Sequence, residues 1–456
     1  MCRKGNLLAF LLLSLLHTCL SAQELGLPPF RYFSPEDYKA ASRNWSIVSD
    51  STGILYVANP DGVLRYDGIH WRKIELPKNQ IAYWVEKDKE GNIYVGANGE
   101  FGVLKLNASG ELYYKSFVDL LDEQYRDFNV IWEIAQEQQG VVFRSRKYLF
   151  RYANQQLTAL DVPSSGTKFD VAFSARDTVY MRIYDQGLAW VDAEGIHPLP
   201  NSESFSNIKV NGIYPYGENE LLIASRYEGL FIYGNQGVRK LITTADEYLM
   251  KNKIYDGYYL KNGNYALATM ADGVVIITPE GKEVFRFDSS NGIKNNQTLY
   301  VREIDEQLWL GTKNGVYQLA YNAPFKSVES EFGLDGQVTG IDKIGDEIYV
   351  TCNDGFYKLE SERELPGFQR INKKQIVDCV SIFEYDQRKY IGSLDGLFEY
   401  TKDSVLEVAN FAPRIIKQSS VDGVFICSEF YFGLYLLDMR KREYQYKQVQ
   451  GINRLV

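Results

Sequence analysis

The sequence predicts an all-β fold, a seven-bladed β-propeller followed by the first blades of a second, on three observations. A phrase of apolar strand, small or polar turn, glycine and second apolar strand recurs throughout. It reads ILYVANPDGVLRYDG at 54–68, NIYVGANGEFGVLKL at 92–106, LLIASRYEGLFIY at 221–233, QLWLGTKNGVYQL at 307–319 and EIYVTCNDGFYKL at 347–359. The turn glycines Gly62, Gly102, Gly187, Gly229, Gly273, Gly315, Gly355, Gly396 and Gly433 return about every 40 residues. One double interval is filled by VVFRSRKYLFRY at 141–152, where Tyr148 stands in place of glycine. The 34 tyrosines and 24 phenylalanines suit the gaps between radially stacked sheets. A period near 40 with four short strands per unit is the sequence sign of such a ring.

Residues 1–22 read as an export signal: Arg3 and Lys4, an apolar core from Leu7 to Leu16, then Leu20-Ser21-Ala22 before Gln23. That core is short for a bilayer span. In the first repeat NWSIVSD (44–50) is strand a, GILYVAN (53–59) is b, GVLRYDG (62–68) is c and HWRKIELP (70–77) is d. Alternation is partial, because a blade is buried against neighbours on both faces. The a–b turn falls on Asp50, Thr52 and Gly53, and the b–c turn on Asn59 to Gly62, residue types that accept hairpin geometry. Further a strands are expected to begin near Ile81, Phe128, Phe169, Val210, Ile254, Thr298, Val338, Ile376 and Pro413. One short helix is expected within 116–127.

Ten repeats result. Seven blades close comfortably and ten are unusual, so we expect a first propeller over 28–325 and a partial second over 326–456. Pro324 and Gly333 fit a domain transition within 320–336. The last residues, 451–456, resemble the start of an eleventh a strand, so the chain is expected to be an amino-terminal part of a longer protein. The alternative is one large ring.

Composition narrows the chemistry. Net charge is −9 with no basic block, which argues against nucleic-acid binding by this segment. Cys352, Cys379 and Cys427 lie in three successive repeats without CxxC spacing and read as small core residues. After the signal only His70 and His197 remain, which excludes a multi-histidine metal site, and a Ser-His-Asp triad would need one of them. Both read as surface residues on outer strands. There is no DxDxDG loop, no GxxxxGK[ST] and no strand-linked GxGxxG, so we expect no metal, no cofactor and no catalytic residue.

The b–c turns carry a more useful constellation. Arg144 and Arg146, then Arg182 and Tyr184, then Arg226 and Tyr227 occupy this turn in the third to fifth blades. Arginine offers a planar fork to carboxylate or sulfate, and tyrosine a stacking face to a sugar ring. These six residues are the expected binding sector for an anionic or carbohydrate-like ligand. The plainer alternative is a set of loop arginines paired with Asp185 and Glu228. Trp45, Trp84 and Trp132 lie in the a strands nearest the axis and are expected to fill core, with a ligand funnel as the alternative.

QLWLGTKNGVY (307–317), NIYVGANGEFGVL (92–104) and GILYVANPDGVLRYDGIHW (53–71) resemble the two-component-regulator propeller repeat. NGIKNNQ (291–297) and FGLDGQV (332–338) resemble that family's inter-blade linkers, and the opening at 30–68 resembles the start of triple-tyrosine-motif sensors of bacteria. RSRKYLF and KYIGSLDG depart from the consensus. The resemblance implies two propellers outside the inner membrane, then a triple-tyrosine domain, a membrane helix and a cytoplasmic output. On it we expect the extracytoplasmic ligand-sensing region of a bacterial transmembrane signalling receptor, with no enzymatic activity in this chain and with carboxy-terminal triple-tyrosine and transmembrane output modules as partners. Ligand binding would shift packing about a hinge near 320–336. A homodimer is compatible with a receptor but has no residue-level support. The alternatives are a polysaccharide-active propeller enzyme, and a non-signalling scaffold or adhesion propeller.

Overall fold

The computed structural model describes residues 26–293, 297–328, 330–360, 367–371, 376–401, 405–429, 433–440 and 444–451, and there the chain forms ten four-stranded antiparallel sheets. The expected export signal and the expected eleventh strand lie outside the described residues. Contacts separate Pro28–Phe325 from a second unit, Gly26 and Leu27 with the residues from Lys326 on.

The first unit holds seven sheets. Six are built from consecutive strands, and their inner strands are Ile47–Ser49, Ala82–Lys87, Glu133–Gln136, Phe169–Ala175, Val210–Tyr216 and Ile254–Tyr259. We number these blades 1 to 6. Blade 7 takes Thr298–Ile304, Gln307–Thr312 and Gly315–Leu319, and its outer strand is Phe30–Phe33 from the other end of the unit. That strand runs antiparallel with Phe30 opposite Leu319 and Phe33 opposite Val316. The sequence repeat does not reveal it, because its partner is remote and its own blade-forming phrase is absent.

Blades 1 and 7 then join. Asn44 donates its backbone N–H to the Thr312 carbonyl at 3.0 Å, and Gly315 donates to Ser42 at 2.9 Å. Asn44 Nδ2 donates to the Gly315 carbonyl as well. Around this seam Phe33, Ile47, Val57, Tyr300, Trp309 and Val316 make one buried cluster. Apolar burial across a seam of this kind is the main force holding the ring shut.

One polar residue recurs at the end of strand b: Asn59, Ser145, Ser225, Thr269, Thr312 and Ser393, all fully buried. Each side-chain oxygen accepts from a backbone N–H two or three residues on, for example Asn59 Oδ1 from Asp61, Thr312 Oγ1 from Asn314 and Thr269 Oγ1 from Asp272. The side chain substitutes for a missing turn hydrogen bond, which fixes the b–c hairpin. Gly62 follows with φ 114°, and a Cβ there would lie 2.5 Å from the Ile74 carbonyl oxygen of strand d. In blade 3 Ser145 Oγ accepts from both Lys147 and Tyr148, and Tyr148, standing in place of the glycine, keeps an ordinary φ.

The helix expected in 116–127 is instead two single 3-10 turns, Val118–Leu120 and Glu123–Tyr125. The run is too short to offset helix nucleation, while Phe117, Leu121 and Phe128 dip into one core between blades 2 and 3. Among the described residues the regular helices are Pro35–Tyr38 and Asp246–Asn252. In the second unit three sheets begin at Val338–Ile344, Cys379–Tyr385 and Pro413–Gln418. Cys352, Cys379 and Cys427 are free and buried there, and burial pushes their thiols up to about 11, 12 and 12.

Candidate functional site: a cavity enclosed by seven blades

The inner strands of blades 2, 4, 5, 6 and 7 share a defect. Each slips register around its second residue, between Ala82 and Trp84, Phe169 and Val171, Val210 and Gly212, Ile254 and Asp256, and Thr298 and Tyr300. The skipped residues are Tyr83, Asp170, Asn211, Tyr255 and Leu299. An extra residue in an antiparallel pair bends the strand and re-aims a side chain. All five line a single cavity of about 270 Å³, joined by Trp45 of blade 1 and Trp132 of blade 3. Every blade of the first unit contributes, so the cavity lies on the ring axis.

Its walls differ. From blades 1 to 3, Trp45, Tyr83 and Trp132 pack at a tilt, with ring centroids 4.7 and 4.9 Å apart and planes 40° and 50° to each other. Trp84 also reaches the cavity while meeting Tyr300 at a right angle. From blades 3 to 5 come Glu133, Arg144, Arg146, Asp170, Lys209 and Arg226. Arg144 is ion-paired with Glu133. Asp170 serves two cations, accepting from Arg182 Nη1 and from Lys209 Nζ at 2.6 Å each. Arg226 Nε donates to Asn211 Oδ1 at 3.2 Å, and its guanidinium lies 5.4 Å over the Tyr255 ring. Arg146 is exposed, 5.8 Å over the Trp132 ring. Among the described residues neither Arg146 nor Arg226 has a carboxylate partner.

The carboxylates behave accordingly. Burial pushes Glu133 above the ordinary range despite Arg144. Burial also pushes Asp256 up to about 7, against hydrogen bonds from the Val301 and Gly257 backbone N–H groups and the pull of Arg302. Asp170 also feels burial, yet Lys209 and Arg182 outweigh it and hold this carboxyl below the usual range. Three residues further along the inner strands, Arg302 of blade 7 grips Glu86 of blade 2 with two hydrogen bonds of 2.8 and 2.9 Å. The pair spans blades that are not neighbours and braces the axis.

Asp256 yields a pH prediction. The folded state holds its proton up to about pH 7, whereas the unfolded chain releases it near 4. Its contribution to stability is therefore complete below pH 4, declines as pH rises from about 4 to 7, and is lost above that. Asp256→Asn should flatten this component, worth several kcal/mol at most on a scale of about 1.4 kcal/mol per pH unit. Urea unfolding of both proteins at pH 4.5, 6 and 7.5 checks it, and parallel curves would refute the assignment.

The six residues expected from the b–c turns separate into three groups. Arg144, Arg146 and Arg226 line the cavity. Arg182 is 2% exposed and spent on structure, donating to Asp170 and to the Phe205 and Ser206 carbonyls. Tyr184 and Tyr227 are exposed outside the cavity lining, with Lys168 Nζ 4.5 Å from one ring and Lys253 Nζ 5.8 Å from the other. Among the described residues no ion pair joins these arginines to Asp185 or Glu228. Trp45, Trp84 and Trp132, expected mainly as core, line the cavity. The bulge residues Tyr83, Asp170, Asn211, Tyr255 and Leu299 escaped the sequence reading. Their signal was a position next to the first inner-strand residue that changes character from blade to blade.

His70 is exposed, and His197 stacks on Trp190 at 4.3 Å while bonding Asp192 at 2.9 Å. Asp192, Glu194 and His197 cluster in a blade 4 hairpin, where Asp192 Oδ1 already accepts from the Glu194 and Gly195 backbone.

No protein-family model matches the chain, and no curated protein matches it either. In solved structures, the fold is similar to an extracellular domain assigned to a hybrid two-component system of B. thetaiotaomicron, with TM-score 0.63 and 14% identity over 94% of this chain. This chain spans 61% of that domain's length. Similar too are virginiamycin B lyase from Staphylococcus aureus (TM-score 0.50, 10% identity, 64% of this chain and 98% of that one) and a streptogramin B lyase (TM-score 0.50, 12% identity, 64% and 97%). At these identities the likeness establishes the propeller fold.

Proposed function

We propose that this chain is the extracytoplasmic ligand-sensing region of a transmembrane signalling receptor and that its ligand docks in the axial cavity of the first propeller. The observation that carries this is the ring of side chains contributed by every blade, five of them re-aimed by bulges, converging on a space with more cation than carboxylate. The fold likeness to a regulator's extracellular domain supports it, as do the repeat phrases. We take residues 326–456 as the start of a second propeller and residues 1–22 as the export signal. A membrane helix and output module would lie in further sequence; no helix among the described residues is long and apolar enough to cross a membrane. We read the chain as a binding protein rather than an enzyme. No histidine lines the cavity, and Glu133 and Asp170 are both tied to cations.

A thermal-shift screen of acidic oligosaccharides should yield a hit that disappears in the Arg146→Ala/Arg226→Ala double variant. Each lost charge-assisted contact is worth about 1.5–3 kcal/mol, or roughly ten- to a hundredfold in affinity. Among the described residues neither side chain has a carboxylate partner, so the variant, losing one hydrogen bond to Asn211 and two ring contacts, should stay folded. Arg144 and Arg182 are unsuitable targets because both are structural. A hit that survives the double variant unchanged would remove the cavity from consideration.

A further inference from the structure

We propose that the cavity accepts a single ring carrying one anionic group, either free or as the terminal unit of a chain, with the ring against Trp45, Tyr83 and Trp132 and the anion toward Arg146, Lys209 and Arg226. The inference rests on the ligand site argued above and names what enters it. Three aromatic rings from successive blades form one continuous wall, and such faces favour stacking on a flat apolar ring surface. Across the cavity, Lys209 and Arg182 share the one carboxylate of Asp170, leaving surplus positive charge, and Arg146 and Arg226 add two more cations. Glu133 is already paired with Arg144, and burial keeps Asp256 reluctant to ionise, which lowers the competition an incoming anion meets.

Size and enclosure supply the rest. About 270 Å³ is near the lower end of small-molecule pockets, which run from about 300 to 1,000 Å³, so one ring fits and an oligomer does not. Inner strands surround the space on every side, which denies lateral passage to the interior of a polymer. A uronate and an aryl carboxylate share this chemistry.

Calorimetric titration of the whole chain with D-glucuronate, benzoate, glucose and sulfate at fixed ionic strength separates the terms, with tryptophan fluorescence as a second readout. We expect one ring anion to bind at least about tenfold tighter than glucose and sulfate, with Tyr83→Ala and Arg226→Ala each weakening it about tenfold or more. Preference for glucuronate assigns a sugar acid and preference for benzoate an aryl acid. If glucuronate wins, a uronate polymer should bind in proportion to its chain ends, and binding in proportion to total rings would overturn the end-on part. Sulfate matching both ring anions, neither ring anion exceeding glucose, or indifference to Tyr83→Ala would overturn the ring. If the ring anions fail while a screened hit still depends on Arg146 and Arg226, this inference falls and the sensor site stands. A hit independent of both arginines removes the two together.

Discussion

Arg302→Ala is expected to cost about 3–5 kcal/mol of stability, the penalty for stranding one half of a buried ion pair. Arg302 makes both hydrogen bonds to Glu86, a third to the Tyr300 hydroxyl at 2.9 Å, and lies 5.7 Å over the Tyr258 ring. Truncation would leave Glu86, only 7% exposed, with the Lys87 backbone N–H as its remaining donor. Removing both charges is a milder change than removing one, so Arg302→Met combined with Glu86→Leu should recover much of the loss. Urea unfolding followed by tryptophan fluorescence measures all three. A single variant within 1 kcal/mol of wild type would mean that the pair does not brace the ring.

Phe33→Ala should be comparably damaging, at about 3–5 kcal/mol. Phe33 is 2% exposed, stacks on Trp309 at 5.9 Å and meets Tyr66 and Trp71 edge-on at 5.2 and 5.4 Å. The deletion therefore opens a hole and weakens the strand that completes blade 7. Because two tryptophans touch Phe33, near-ultraviolet circular dichroism should lose fine structure at temperatures where the far-ultraviolet signal persists. Ile69→Ala, at a side chain 76% exposed, is the control and should stay within about 0.5 kcal/mol. Equal melting of Phe33→Ala and the control would show the closure strand to be dispensable.

Blade phase was legible in the sequence because each b–c hairpin has a local requirement, a small polar residue followed by a glycine, that Asn59 and Gly62 display openly. The closure strand was not. Its partners, Val316 to Leu319, lie at the far end of the unit, and pairing at such a distance leaves no local period. Of the four arginines read from the b–c turns, Arg144, Arg146 and Arg226 line the cavity, but their accessibility was not legible. Arg182 lies inside its strand b, Thr178–Ile183, where it meets Asp170, Phe205 and Ser206 and is consumed by the scaffold, whereas Arg226 follows the end of its strand, Glu220–Ser225. Of the aromatic wall, Trp45 and Trp132 were legible as a possible funnel, but Tyr83 was hidden by a one-residue bulge that turns it toward the axis against the alternation expected of a strand.

Phe30–Phe33 is made first and its partner Gly315–Leu319 last among the strands of the first unit, so on the ribosome the first blades must wait as an open arc with two raw edges. Unpaired strand edges are the templates on which chains stick to one another. A chain interrupted inside blade 7 would thus remain unsealed however many blades it had finished, and a holdase that shields the waiting segment would raise the yield of closed rings.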